Sequence, residues 1–158
     1  EAGSRAAADA EGSVRDRSRL AALDRARERG PAFERLVGID VDGFREFNAA
    51  AGSRAGDDVL RQVAAVLAQS VRLVDTIART GGDEFVLVAP GPAGVTVARR
   101  VLDGVAKLDA VDDHTISVSA AIARFPQDGS DAGALLEAAR TALAATTEPA
   151  SIVEVTGA

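Results

Sequence analysis

A chain of 158 residues, 47% of them hydrophobic, is long enough to fold as one domain around a buried core. It carries 24 acidic against 18 basic residues, a net charge of -6, and no cysteine. A general basic footprint for nucleic acid, a disulfide framework and thiolate metal sites are therefore excluded.

Residues 1–14 read as a linker, since Glu1 to Gly12 is polar, rich in Ala, Gly, Ser and acids, and lacks the apolar stretch of a signal peptide. The remainder, 15–158, reads as one domain. Arg15 to Arg29 has helical composition with Leu20 and Leu23 on one face, and Gly30-Pro31 stops it. Leu36-Val37-Gly38-Ile39 is a short buried strand leading into Asp40-Val41-Asp42. Val59, Leu60, Val63, Val66, Leu67 and Val71 recur at helical spacing and predict a core-facing helix over Asp57 to Val71.

Thr76 to Thr80 and Glu84 to Val88 form two strands joined by a tight turn at Gly81-Gly82. A further helix carries Val97, Val101, Leu102, Val105 and Leu108. Ile116 to Phe125 is strand-like, Pro126 to Gly129 a turn, and Ala132 to Ala145 a helix; Ile152 to Val155 suits an edge strand. Helices mixed with hairpin-joined strands favour an α+β fold with a mainly antiparallel sheet. No apolar run is long enough to cross a bilayer. The chain opens on Glu1, as expected of a piece of something longer; a cytoplasmic location is expected, with membrane tethering of the parent left open and no direct membrane contact from this segment.

Two acidic clusters fall at strand ends, Asp40 with Asp42 and Asp83 with Glu84. Adjacent strands bring such ends together, and converging carboxylates repel unless a cation lies between them. Mg²⁺ suits that arrangement because it takes hard oxygen ligands and bridges carboxylates to phosphates. Gly81 and Gly82 lack Cβ atoms, which allows close approach of a ligand. A solvated hairpin turn with ordinary surface acids is the competing reading of the same residues.

Gly81-Gly82-Asp83-Glu84-Phe85 spells the motif of the GGDEF diguanylate cyclases. Asp40-Val41-Asp42-Gly43-Phe44-Arg45-Glu46-Phe47-Asn48, with Gly52 and Gly56-Asp57, resembles the family's D-x-D-x-F-K-x-x-N…G-H-x-x-G-D block. Ser117 to Ala123 with Phe125-Pro126 and Asp128-Gly129 resembles its S-I-G-V-A…P-x-D-G segment. The resemblance runs from about Arg17 to Val155. It implies a palm-like (ferredoxin-like) nucleotidyl cyclase fold, a five-stranded sheet flanked by helices. It also implies a transferase of bacterial second-messenger signalling that condenses two GTP into cyclic di-GMP across a homodimer.

By the same resemblance, Asp40, Asp83 and Glu84, with the Val41 carbonyl, would hold two Mg²⁺ ions, Mn²⁺ being an alternative. Asp83 and Glu84 would be catalytic, with Glu84 a metal ligand or the base for the ribose 3′-hydroxyl. The amides of Gly43, Phe44 and Arg45 would meet phosphate at a helix N-terminus, Asn48 and Asp57 would read guanine, and Gly82 would line the substrate. Arg72 and Asp75 form an R-x-x-D at the offset of the family's inhibitory site for cyclic di-GMP; a solvated helix end is the plainer reading of that pair.

The pattern has departures. Ala49 stands where Asp is usual, Ser53 where His is usual, and Arg45 replaces Lys. The N-terminal signature is eroded over Asp9 to Arg17. The A-D-x-A-L-Y-x-A-K-x-x-G-R-N segment reads Ala139-Arg140-Thr141-Ala142-Leu143-Ala144-Ala145-Thr146-Thr147, with Ser151 at the Arg position. Thr147 and Ser151 thus replace the cations that hold the β- and γ-phosphates. Two readings follow: a cyclase with a thinned triphosphate grip, or a degenerate domain acting as a GTP or cyclic di-GMP receptor. His114 has no partner in sequence and reads as structural or solvated; Phe44, Phe47 and Phe85 read as core.

Overall fold

The computed structural model describes residues 34–72, 75–90 and 93–156. The expected linker and the helix at Arg15 to Arg29 lie outside the described residues. Along the chain come β1 (Glu34–Val41), α1 (Phe44–Ala51), α2 (Ser53–Ser70), β2 (Thr76–Arg79), β3 (Glu84–Pro90), α3 (Gly94–Ala106), β4 (Val118–Arg124), α4 (Ala132–Ala144) and β5 (Ile152–Glu154).

The five strands form one sheet in the order β2-β3-β1-β4-β5. Every pairing is antiparallel except β4 with β5. β1 is central because its apolar run can be covered on both faces. Strand alternation sends Val37, Ile39 and Val41 to one face, where they join Val59, Val63 and Leu67 of α2 and Val97, Val101 and Val105 of α3. Leu36 points to the other face and meets Val86, Ala121, Leu135, Leu136 and Ala139, so among the described helices α4 covers that side.

α2 starts at Ser53, four residues before its expected start, because Gly52 takes the turn between the two helices at φ 89. That left-handed conformation is open to glycine and closed to most side chains. The Gly52 amide also donates to the Asn48 carbonyl at 2.9 Å, closing α1. α4 starts where the Asp131 carboxylate accepts from the Ala134 amide at 2.8 Å, an N-cap. Phe47 and Phe85 are buried and Phe44 packs against the same core. His114 is exposed in the loop before β4 and sets its ring edge-on to Phe47 at 5.4 Å.

Candidate active site

The β1–β3 register sets Asp40 directly opposite Glu84, on the face that α4 covers. The hairpin turn before β3 is tied to the end of β1, where the Val41 amide donates to the Asp83 carbonyl at 3.3 Å. Asp83 is thereby held beside Asp40. The Asp40 carboxyl is pushed up from 3.8 to about 7, first by burial, then by a shared hydrogen bond with Asp83 and the charges of Asp83, Glu84 and Asp42. Its Oδ1 is buried with no hydrogen-bond partner among the described residues. An orphaned buried oxygen beside a second carboxyl is the donor set that a hard divalent cation completes.

The other two acids are engaged elsewhere. Asp42 accepts from the Ser117 and Ser119 hydroxyls at 2.7 Å each and from the Ala150 amide at 2.9 Å. Glu84 accepts from Thr80 Oγ1 at 2.6 Å and from Arg140 Nε at 3.0 Å to both oxygens, and Arg140 Nη2 lies 2.9 Å from Oε1. This pairing holds the Arg140 guanidinium well above its usual range. Among the described residues, no three His, Asp or Glu side chains converge so as to cage a metal unaided. Asp40 and Asp83 thus lie together, and Glu84 beside them is held by Arg140.

Beside these acids, a cavity of about 310 Å³ is lined by Asp40, Asp42, Gly43 and the Thr146–Pro149 segment, with no Lys or Arg among the described residues of its wall. Thr147 borders it. Ser151 turns away, its hydroxyl donating to the Glu148 carbonyl at 2.8 Å. α1 begins at Phe44 with Gly43 before it at φ 62, so the Gly43–Arg45 amides form a helix N-terminus beside the cavity. At the far end of α1, the Asn48 carboxamide lies over Gly56, where a Cβ would collide with it. Asn48 Oδ1 is also a buried side-chain atom without a partner among the described residues, and Asp57 follows Gly56 on α2. Neither Gly81 nor Gly82 has a positive φ, and a Cβ on Gly82 would meet open space. Their use is room beside the turn, not backbone strain.

The Arg72–Asp75 pair is separate from this site. Asp75 accepts from the Arg72 amide at 2.7 Å and from the guanidinium at 3.2 and 3.4 Å. Sequence reasoning named each acid but assigned no role to Thr80, Ser117, Ser119 or Arg140. For Arg140 the signal was present, a cation standing where the resembled pattern has an acid.

A mainly antiparallel five-stranded sheet with acids at the β1 end and the β3 turn defines an α+β nucleotidyl cyclase-like fold. The family model described as "Diguanylate cyclase, GGDEF domain" matches residues 18–149, and the chain belongs to that family. Over 96 residues it is 41% identical to the bifunctional diguanylate cyclase/cyclic di-GMP phosphodiesterase MucR of Pseudomonas aeruginosa, covering 58% of this chain and 14% of MucR. Over 114 residues it is 32% identical to diguanylate cyclase A of Treponema denticola, covering 68% of this chain and 31% of that protein. The chain therefore spans less than a third of the length of these relatives.

Among solved structures, the GGDEF domain of TpbB from P. aeruginosa superposes with a TM-score of 0.78 at 27% identity, covering 88% of this chain and 92% of that one. The GGDEF domain of DgcB from Caulobacter crescentus, solved with cyclic di-GMP, gives 0.73 at 28% identity, covering 84% and 85%.

Proposed function

We propose that this domain is a diguanylate cyclase, joining two GTP into cyclic di-GMP with release of two pyrophosphates across a two-fold homodimer. The observation that carries the reading is the orphaned Asp40 oxygen beside Asp83. Asp40, Asp83 and the Val41 carbonyl would hold Mg²⁺, with Glu84 joining them; bound there, two such ions supply charge stabilisation for the attacking 3′-oxygen and the leaving pyrophosphate. The Gly43–Arg45 amides face the phosphates, Gly82 leaves room for them, and the Asn48 carboxamide with Asp57 reads guanine. One domain holds one GTP, so the reaction needs a second copy facing it. Glu84, freed of Arg140, would serve as metal ligand or as the base that accepts the ribose 3′-proton.

Product feedback is assigned to Arg72 and Asp75, whose guanidinium and carboxylate offer a fork for phosphate and an acceptor for guanine. A second reading, a GTP or cyclic di-GMP receptor, is favoured by the cation-free cavity wall and by the turned-away Ser151. Incubation of a dimerised form with GTP and Mg²⁺, analysed for cyclic di-GMP, decides between them. Product formation supports the cyclase; none, with tight cyclic di-GMP binding, supports the receptor.

A further inference from the structure

α4 comes down onto the sheet where β1 has no side chain. A Cβ at Gly38 would lie 3.2 Å from Ala139 Cβ and 3.5 Å from Leu143 Cδ1. This close approach brings the next residue, Arg140, over the end of β3, where its guanidinium takes both Glu84 oxygens. The Arg140 side chain is 42% exposed, so it has room to turn. One helical turn on, Leu143 enters the wall of the 310 Å³ cavity beside Asp40. Among the described residues that wall contributes Asp40, Asp42 and Glu148 and no cation, although a polyanionic triphosphate needs one.

We propose that Arg140 is the triphosphate-contacting cation of this site, parked on Glu84 until the substrate and its metal arrive. The inference rests on the reading that Glu84 is a metal ligand. A guanidinium and a divalent cation on one carboxylate repel at a separation of a few ångströms. Glu84 therefore exchanges one counter-ion for the other, and the displaced Arg140 swings its planar fork to the nearby phosphate oxygens, for which that fork is well shaped. Arg140 so replaces from α4 the charge that Thr147 and Ser151 do not supply.

The exchange makes two measurements move in opposite directions. Mn²⁺ binding to the metal-free protein, followed by electron paramagnetic resonance, should tighten about 3–10-fold in Arg140→Gln, because a competing counter-ion is gone. Binding of a non-hydrolysable α,β-methylene GTP analogue with Mg²⁺ should weaken about 10-fold or more, with the loss shrinking for GDP and vanishing for GMP. Arg140→Lys should recover part of the analogue binding. A structural role would weaken both measurements together; that result, or no change in either, overturns the proposal. If Mn²⁺ binding depends on Asp83 but ignores Arg140, only this inference fails. If neither the parent nor Arg140→Gln binds Mn²⁺, the metal-site reading fails with it.

Discussion

Asp40 and Glu84 face each other across the β1–β3 ladder, two acids on the face of the sheet that α4 packs against. Directly opposed like charges destabilise a sheet. Arg140 relieves Glu84, whereas Asp40 keeps an unpartnered oxygen. Asp40→Asn should therefore stabilise the metal-free protein while removing Mn²⁺ binding and turnover. The half-buried carboxylate keeps some solvent screening, so the gain is held to ~1 kcal/mol, a rise in Tm of about 2–4 °C for a domain this size. Calorimetry in a chelator checks it, and an unchanged or lower Tm contradicts it.

The same carboxyl sets a pH dependence. Its folded pKa, about 7, lies above the 3.8 of an ordinary Asp, so between those values the folded state binds the extra proton. The stabilising contribution of that proton is complete below about pH 3.8, declines as pH rises and is gone above about 7. The Tm advantage of Asp40→Asn over the parent should be near zero at pH 4.5 and full at pH 8. A constant advantage across that range would place the charge elsewhere.

Glu84→Gln should abolish cyclic di-GMP formation with the fold retained. The amide oxygen still accepts from Thr80 or Arg140, so far-UV circular dichroism should match the parent, while neither metal ligation nor proton acceptance survives. Turnover within about 10-fold of the parent would take Glu84 out of the chemistry, since loss of a general base costs roughly 10²–10⁴-fold. In the same assay, Arg72→Ala should lift product inhibition without changing the initial rate, because Arg72 and Asp75 bond to each other away from Asp40.

Much of this architecture is written locally in the chain. The apolar run before Asp40, the helical spacing from Val59 to Leu67 and the Gly81-Gly82 turn each report on their own neighbours: the first two fall on β1 and α2, the third between β2 and β3, while Val71 lies just past the end of α2. Pairing Asp40 with Glu84 follows once two adjacent strands are read as ending in acids. What stays hidden is who neutralises whom. Arg140 meets Glu84 across 56 positions, and Asp42 meets Ser117 and Ser119 across 75 and 77, through contacts that depend on how closely α4 and β4 approach β1. No periodicity encodes those distances. The approach of α4 depends on a missing side chain at Gly38, which in sequence looks like an ordinary weak point in a strand.

Gly38 therefore carries a prediction of its own. In Gly38→Ala the new methyl sits 3.2 Å from Ala139 Cβ, so α4 gives by a few tenths of an ångström, offset in part by the better strand propensity of Ala. The net cost should stay near ~1 kcal/mol. Gly38→Val adds two methyls that the interface cannot absorb, and overpacking of that kind costs about 1–3 kcal/mol. Urea titration should rank glycine above alanine and alanine above valine. A valine variant as stable as the parent would show that α4 does not rest on β1 here.

Asp42 completes the set, because its structure-based role differs from that of the acid two residues before it. Both of its oxygens are taken by donors from Ser117, Ser119 and Ala150, which staples the end of β1 to the approach to β4 and to the segment after α4. That segment carries Thr147 and Glu148 along the cavity wall. Asp42→Ala leaves two hydroxyls and an amide without their acceptor, at a cost of about 1–3 kcal/mol in part-buried surroundings. Hydrogen exchange should quicken at the Ala150 amide, whereas the core amides of β1 slow or quicken only with global stability. Mn²⁺ affinity should fall far less than in Asp83→Asn. Should Asp42→Ala erase metal binding while leaving Ala150 protected, Asp42 would belong with the ligands, and the staple would be secondary.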